Sequence, residues 1–151
     1  MRSHLGRASA VVGLGLWLVG CGSSSPTSPS VTPTPTPAPV AQVLMEGSLT
    51  EMTPMVLFIV GSFTTTAVGR LDVTVDWTVS SDNVDVYVTR GTCSVDQLNA
   101  GTCNLAASSE STTSKPERLA VTGLAVGSYT LLIGNRGPAV ESASYQVVHT
   151  H

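Results

Sequence analysis

Charged side chains are scarce in this sequence, and those present do not favour a nucleic-acid partner. Only 11% of the 151 residues are charged, with ten acids against seven basic residues. Binding to nucleic acid needs a basic stripe that neutralises phosphates, and an acidic surface repels them instead. The charges are scattered, and serine and threonine supply most of the polar groups, which suits an exposed, solvated module.

Catalytic motifs are also missing. None of the G-x-S-x-G, HExxH, Walker and dinucleotide-binding patterns occurs. His149 and His151 lie at the extreme C-terminus, where order is expected to be poorest, so no general base accompanies a nucleophile. Asp72 and Asp76 share one face of a predicted strand and are interpreted as solvated, because glycosidase acids flank the scissile bond from separate elements. The sequence therefore predicts a non-enzymatic protein without a cofactor.

The first twenty residues have the organisation of a secretory signal peptide. Residues 1–7 carry two arginines and no acid. Residues 8–20 form an apolar run that is shorter than the roughly 20 residues of a membrane-spanning helix. Removal of residues 1–20 leaves five basic residues against ten acids. We therefore expect an exported, acidic mature protein.

The end of this segment, Leu18-Val19-Gly20-Cys21, resembles the lipobox of bacterial lipoproteins. The resemblance implies that Cys21 receives diacylglycerol, becomes the mature N-terminus and gains an N-acyl chain such as palmitate. Each buried CH₂ contributes about 0.8 kcal/mol, so two or more acyl chains give a durable membrane anchor. Gly22 in place of aspartate implies sorting to the outer membrane in a double-membraned bacterium. The alternative is an ordinary signal peptide whose cleavage site lies near a cysteine.

Residues 21–39 comprise the lipidated cysteine and a tether rich in serine, threonine and proline. Six prolines and almost no apolar residues exclude a core here. Alternating threonine and proline favour polyproline II, a semi-rigid spacer of about 3.1 Å per residue that would reach on the order of 50 Å. The tether is therefore predicted to hold the following domain clear of the membrane. Docking to an aromatic groove and glycosylation of the threonines are the alternatives.

Residues 40–151 are predicted to form one all-β domain. Apolar and polar residues alternate in residues 71–79 and 84–88 as in half-buried strands, and the turn residues 80–83 between them predict a hairpin. No segment combines helical spacing with caps, and valine and threonine favour strands. We therefore predict an antiparallel β-sandwich or jelly roll with Greek-key connections. Further strands are expected in residues 43–49, 56–60, 119–121, 129–133 and 145–149.

Cys93 and Cys103 occur in matching Gly-Thr-Cys contexts on a chain directed for export, which favours a disulfide between them. Closing a loop of about ten residues would stabilise the domain by roughly 2–3 kcal/mol. A metal or reactive-thiol site is the alternative. Zinc needs four ligands, however, and the only histidines of the mature chain, His149 and His151, lie at its C-terminal end, which is expected to be frayed.

From residue 71 onward the order of signals resembles the bacterial pre-peptidase C-terminal domain. Residues 82–88 are similar to the family's Asp-rich turn and D-L-Y-V strand, residues 124–131 to its L-x-x-G-x-Y-x-L segment, and residues 145–147 to its last strand. The resemblance implies a jelly roll with an accessory, non-catalytic role. Some relatives bind calcium through acidic turns, and the corresponding positions are Asp82, Asn83 and Asp85. In the alternative interpretation, Asp82 and Asn83 form the turn and Asp85 faces solvent.

Two hypotheses for function remain. In the first, a membrane-anchored sandwich acts in the cell envelope by contact with an unidentified envelope protein. In the second, the domain is a carbohydrate- or protein-binding module. If the valines that flank it face the core, Tyr87 points outward, where its ring can stack on a sugar or dock a partner. Cross-strand packing of the ring on the outer face explains the same residue without a ligand. Trp77 and Tyr129 are assigned to the core.

Overall fold

Eight strands and one short helix make up residues 36–151, the part of the chain that this computed structural model describes. The predicted signal peptide, Cys21 and most of the predicted tether lie outside the described residues. Within the described part, Pro37–His151 form one compact unit. In chain order the elements are β1 (Ala41–Met52), β2 (Val56–Thr65), β3 (Gly69–Trp77), β4 (Val84–Arg90), α1 (Val95–Asn99), β5 (Leu105–Ser109), β6 (Glu117–Leu124), β7 (Gly127–Asn135) and β8 (Glu141–Thr150).

The strands form two four-stranded antiparallel sheets that pack face to face. Sheet 1 has the order β1-β8-β3-β6, and sheet 2 has the order β2-β7-β4-β5. The first strand pairs with the last, the second with the seventh, the third with the sixth and the fourth with the fifth. This nesting is the pattern of a long ribbon wrapped into a jelly roll. The predicted all-β sandwich is confirmed, and the strand order is that of its jelly-roll form.

The predicted hairpin between β3 and β4 is wrong, because these strands belong to different sheets. Residues 78–83 cross from one sheet to the other. Nε1 of Trp77 donates to the carbonyl oxygen of Asp82 at 3.2 Å, and the buried carboxylate of Glu141 accepts the backbone N–H groups of Thr78 and Val79. Alternating polarity identifies each strand and its inner face, but a hairpin and a crossing between packed sheets show the same alternation.

Apolar side chains from the inner faces of both sheets fill the space between them. Trp77 and Tyr129 belong to this core, as predicted. The ring of Phe63 stacks on Tyr129 with the centroids 5.6 Å apart. The remaining buried members are Met52, Leu71, Val73, Val75, Val84, Val86, Val88, Leu119, Leu124, Leu131, Ile133, Ala143 and Val147.

The chain enters and leaves the domain at the same end of the sandwich. The backbone N–H of Val40 donates to the carbonyl of His151 at 2.7 Å, and the N–H of His151 donates to the carbonyl of Val40 at 3.0 Å. Strand direction alternates along the chain, so the connections between odd-numbered strands and the strands that follow them all lie at the opposite end. These far connections are residues 53–55, 78–83, 110–116 and 136–140.

The expectation of a poorly ordered C-terminus is wrong. His149 lies in β8, which is hydrogen-bonded to β1 on one side and β3 on the other, and only 1% of its surface is exposed. Its ring stacks on His151 with centroids 5.1 Å apart. Burial lowers the pKa of His149 below its ordinary value, and the nearby charge of His151 adds to this effect. The folded domain therefore favours the neutral imidazole.

The domain contains one helix of five residues, α1, which the spacing of residues in the sequence did not indicate. The side chain of Ser94 accepts the backbone N–H of Gln97 at 3.1 Å, and Gln97 accepts the N–H of Ser94 at 2.9 Å, which is a capping box. Gly101 follows the C-cap with φ +66°, a left-handed conformation that glycine adopts without strain. Five residues are too few for helical periodicity to be visible. No helix in residues 36–151 has the length and apolar character needed to cross a bilayer.

Candidate binding cleft

A strip of apolar side chains lies on the outer face of sheet 2, away from the main core. Tyr87 on β4 is directly opposite Leu132 on β7, which in turn is opposite Ile59 on β2. Leu57 lies two residues before Ile59 on the same face. Apolar residues on an outer face need a cover. Leu57, Tyr87 and Leu132 have one, whereas Ile59 at the edge of the strip is 51% exposed.

The cover is the disulfide loop, residues 91–104, which connects β4 to β5 and contains α1. Cys93, Val95, Leu98 and Cys103 pack against the strip and form a second, smaller core with it. The predicted disulfide between Cys93 and Cys103 is confirmed, with the Cα atoms 5.8 Å apart. This disulfide is the only cross-link within residues 36–151. It lies where the second, smaller core has to be held against the outer face of sheet 2.

Hydrogen bonds fix both stems of the disulfide loop to the sheet. The backbone N–H of Arg90 donates to the carbonyl of Asn104, and the backbone N–H of Gly91 donates to the carbonyl of Ser128, each at 2.8 Å. The hydroxyl of Thr130 donates to the carbonyl of Gly91 at 2.7 Å. The loop is therefore tied to β4 and β7 as well as closed by its disulfide.

Tyr87 faces outward, but the prediction that its ring is exposed is wrong, because the disulfide loop leaves only 7% of the residue accessible. Its hydroxyl donates to Oδ2 of Asp85 at 3.0 Å. Burial raises the pKa of this hydroxyl above its usual value, against the opposing effect of a hydrogen bond from Arg136. Tyr87 therefore remains a neutral donor and cannot serve as a flat stacking platform.

Asp85 is also buried rather than solvent-facing, with 5% of its surface exposed. Nε of Arg136 lies 3.0 Å from its Oδ2, and Nδ2 of Asn83 lies 3.2 Å from its Oδ1. Nη2 of Arg136 also donates to the hydroxyl of Tyr87 at 3.4 Å. Arginine has five N–H donors, so these two bonds leave further donors on the same guanidinium.

The three calcium candidates are used in other ways. Asp82 accepts the backbone N–H of Ala139 at 3.0 Å. The side chain of Asn83 donates to Asp85, and Asp85 also accepts from the side chain of Arg136. Within residues 36–151 no group of three or more histidine, cysteine or acidic side chains is arranged to hold a metal ion. The charge partner of Asp85 is an arginine 51 residues away, a contact that a local turn pattern cannot reveal.

A cleft of about 390 Å³ opens between the disulfide loop and β5. This volume is within the range of small-molecule and side-chain pockets. Leu105 is 47% exposed on one wall, and the partly exposed guanidinium of Arg136 lies at the same cleft as Glu110. The remaining wall includes Leu57, Tyr87 and Leu98. The arrangement suits a ligand with an apolar body and a polar group that accepts hydrogen bonds from Arg136.

Most of these cleft residues were not identified from the sequence. Leu98 and Leu105 belong to the disulfide loop and the strand after it, where no alternation was visible. Arg136 stands in Asn135-Arg136-Gly137-Pro138, a pattern typical of a turn that carries no sign of a binding role. Tyr87 and Asp85 were singled out, but for ring stacking and calcium binding rather than for the contacts they make.

No protein-family model matches this chain, and no curated protein matches it. Among solved structures, a periplasmic lysozyme inhibitor of g-type lysozyme from Aeromonas hydrophila is similar with a TM-score of 0.40 and 15% identity, over 75% of this chain and 86% of that one. The infectious bursal disease virus VP2 subviral particle is similar with a TM-score of 0.39 and 14% identity, over 85% of this chain and 37% of the viral chain. Likeness at this level carries no functional assignment.

Proposed function

We propose that this protein is a lipid-anchored component of the bacterial cell envelope, and that its jelly roll acts by binding a peptide segment of an envelope protein without catalysis. The observation that carries the proposal is the cleft beside the disulfide loop, where the exposed Leu105 and the guanidinium of Arg136 meet. Apolar clefts with a few convergent polar groups are the usual form of a binding site.

The chemistry of the cleft favours a peptide over other ligands. An aliphatic or aromatic side chain can pack against Leu57, Leu98 and Leu105, and a backbone carbonyl can accept from Arg136. Glu110 offers an acceptor for a backbone N–H at the same cleft. A highly charged ligand is disfavoured, because the two charged residues have opposite signs.

The anchor rests on the lipobox-like Leu18-Val19-Gly20-Cys21, and Gly22 favours the outer membrane in a double-membraned cell. In the folded domain, Val40 at the chain entry pairs with the last residue, His151. A tether at this end leaves the four far connections directed away from the point of attachment. Arg136 belongs to one of these connections and Glu110 to another, so the charged part of the cleft lies away from the attachment, which supports its display to a partner in the envelope.

Mass spectrometry of the membrane fraction tests the anchor. We expect an N-terminal peptide that starts at Cys21 and carries diacylglycerol and an N-acyl chain, and a Cys21→Ala variant that leaves the membrane fraction. A mature chain that starts at another residue, or a membrane-bound Cys21→Ala variant, contradicts the anchor.

Site-specific photo-crosslinking in the native membrane tests the cleft. A photoreactive phenylalanine in place of Leu105 should crosslink to an envelope protein, and the same residue in place of Val126 is the matched control. Val126 is similarly exposed, at 53%, but lies in the turn between β6 and β7. The crosslink at position 105 should be lost when Leu98→Asp is added. Equal crosslinking from both positions, or none from position 105, shows that the cleft is not the binding site.

A further inference from the structure

An open depression of about 750 Å³ lies on the outer face of sheet 1. One residue from each of the four strands forms a row across it, in the order Glu46, Gln146, Thr74 and Arg118. Neighbouring strands lie about 4.8 Å apart, so the row extends over about 14 Å. Glu117 and Leu119 are buried on either side of Arg118, which places the guanidinium on the outer face.

The side chains of the row are linked in two pairs by long hydrogen bonds. Nε2 of Gln146 lies 3.4 Å from Oε2 of Glu46, and Nη1 of Arg118 lies 3.4 Å from the hydroxyl of Thr74. Both distances are at the long limit for a hydrogen bond, so a closer ligand atom can compete for either group. Each pair presents an acceptor and a donor side by side.

A second row, formed by Asp76 and the directly opposite Ser144, extends the polar lining. The side chain of Asp76 is 55% exposed, and Nζ of Lys115 lies 3.0 Å from its Oδ1. Carboxylate, amide, hydroxyl and guanidinium groups therefore surround one depression. This mixture of donors and acceptors differs from the apolar walls of the cleft on sheet 2.

The lining argues against two other classes of partner. Tyr145 is the only aromatic residue in it, and this residue is directly opposite Val75 and packs against the main core. A protein interface needs an apolar centre, which the depression does not offer. Polyanions are disfavoured because Glu46 and Asp76 flank Arg118, and the neighbouring Lys115 is already paired with Asp76.

We propose that this depression binds a neutral glycan chain. Sugar hydroxyls donate and accept at once, so adjacent hydroxyls can donate to Glu46 or Asp76 and accept from Gln146 or Arg118. The length of the row accommodates a chain of sugars rather than a single ring. No exposed aromatic ring is available for stacking on this face, so hydrogen bonds supply the affinity and the dissociation constant is in the millimolar range. The site is separate from the cleft on sheet 2 and does not depend on the peptide-binding proposal.

Saturation-transfer NMR and titration with full-length protein test the proposal. The protein is held in a detergent without sugar headgroups, and the probes are linear pentasaccharides of glucose, xylose and N-acetylglucosamine. At least one neutral pentasaccharide is expected to bind and to shift the side-chain amide signals of Gln146. Absence of binding by all three, or stronger binding by heparin than by any of them, overturns the proposal.

Substitutions on the outer face of sheet 1 test whether the glycan binds in this depression. Arg118→Ala and Gln146→Ala replace exposed side chains and should weaken binding at least tenfold. Arg70→Ala is the matched control, because this arginine is exposed on the same sheet, bonded to Asp72, and outside the depression. Leu105→Asp in the cleft should leave glycan binding unchanged. Equal affinity of Arg118→Ala and the wild type, with both proteins folded, also overturns the proposal.

Discussion

Nε of Arg136 lies 3.0 Å from Oδ2 of Asp85, and this contact joins the connection after β7 to the middle strands of sheet 2. The pair orients the guanidinium toward the cleft and supplies the charge that the buried carboxylate needs. Asp85 in turn accepts from Tyr87, so three residues that the sequence separates by up to 51 positions act as one network.

Arg136→Ala should destabilise the domain, because it leaves the buried Asp85 carboxylate without its cation. We expect the free energy of unfolding to fall by about 1–3 kcal/mol, less than for a fully buried pair, since Arg136 is partly exposed. Urea unfolding followed by the fluorescence of Trp77 measures this change. Arg70→Ala removes the exposed partner of Asp72 and should have no measurable effect. Equal losses in both variants would contradict the role of the buried pair.

The double variant Cys93→Ser, Cys103→Ser should unfold more easily by roughly 2–3 kcal/mol, because the unfolded chain regains the freedom that the closed loop denies it. Without the disulfide the loop should also be cleaved more readily by proteases, because only its packing on Tyr87 and Leu132 and its hydrogen bonds then hold it to the sheet. A reductant should bring the wild type to the stability of the variant and leave the variant unchanged. Insensitivity of the wild type to a reductant, or two alkylatable thiols in the exported protein, would exclude the disulfide.

Asn135→Ala should be among the most damaging substitutions of an uncharged side chain. The fully buried amide donates to the carbonyls of Met52 and Ala139, at 2.9 Å and 2.7 Å, and accepts the N–H of Gly137 at 2.9 Å. Leaving these backbone groups unpaired should cost about 3 kcal/mol of unfolding free energy, measured by calorimetry. Asn104→Ala, at an exposed position, is the control and should unfold as the wild type does.

Stability should fall in mild acid because of His149. Its pKa in the folded domain is lowered from an ordinary value of 6.5, so the unfolded chain binds the proton first as the pH decreases. The contribution of the neutral His149 to the free energy of unfolding is complete above about pH 6.5, and it is lost as the pH falls toward the pKa of His149 in the folded domain. Unfolding free energies at pH 7 and pH 5.5 measure it. His149→Gln should reduce the difference between the two values, and His151→Gln should largely retain it. An unchanged difference in His149→Gln would assign the effect to other groups.

Local alternation of side chains was sufficient to predict the class of the fold. Residues 71–79 and 84–88 overlap most of β3 and β4, and the inner faces of these strands were assigned correctly, because the pleat of a strand fixes which side chains share a face. The partner of each strand was not predictable in the same way. β3 and β4 are adjacent in the chain yet lie in different sheets, since sheet membership depends on packing against distant strands.

The cleft could not be predicted for a related reason. The alternation around Tyr87 showed that the ring points away from the main core, but it does not show what covers an outer face. The cover is the loop of fourteen residues that also holds the disulfide, and its position depends on contacts with β7 and with Leu57. Cys93 and Cys103 were predictable as a pair because the predicted signal peptide and the matching flanking residues favour oxidation. The network of Asp85 and Arg136 depends on the fold as a whole.

The pairing of β1 with β8 also has a mechanical consequence. β1 starts at the chain entry and runs antiparallel to β8 from Ala41 to Met52. If the chain is tethered at its entry, as proposed, and a partner held near Arg136 pulls against that tether, the force acts along β1. The hydrogen bonds of β1 then bear the load together in shear, instead of opening one after another as in a peeled strand. We expect force spectroscopy on the tethered domain to find a high rupture force for this geometry and a lower one when the pull is applied across the strands.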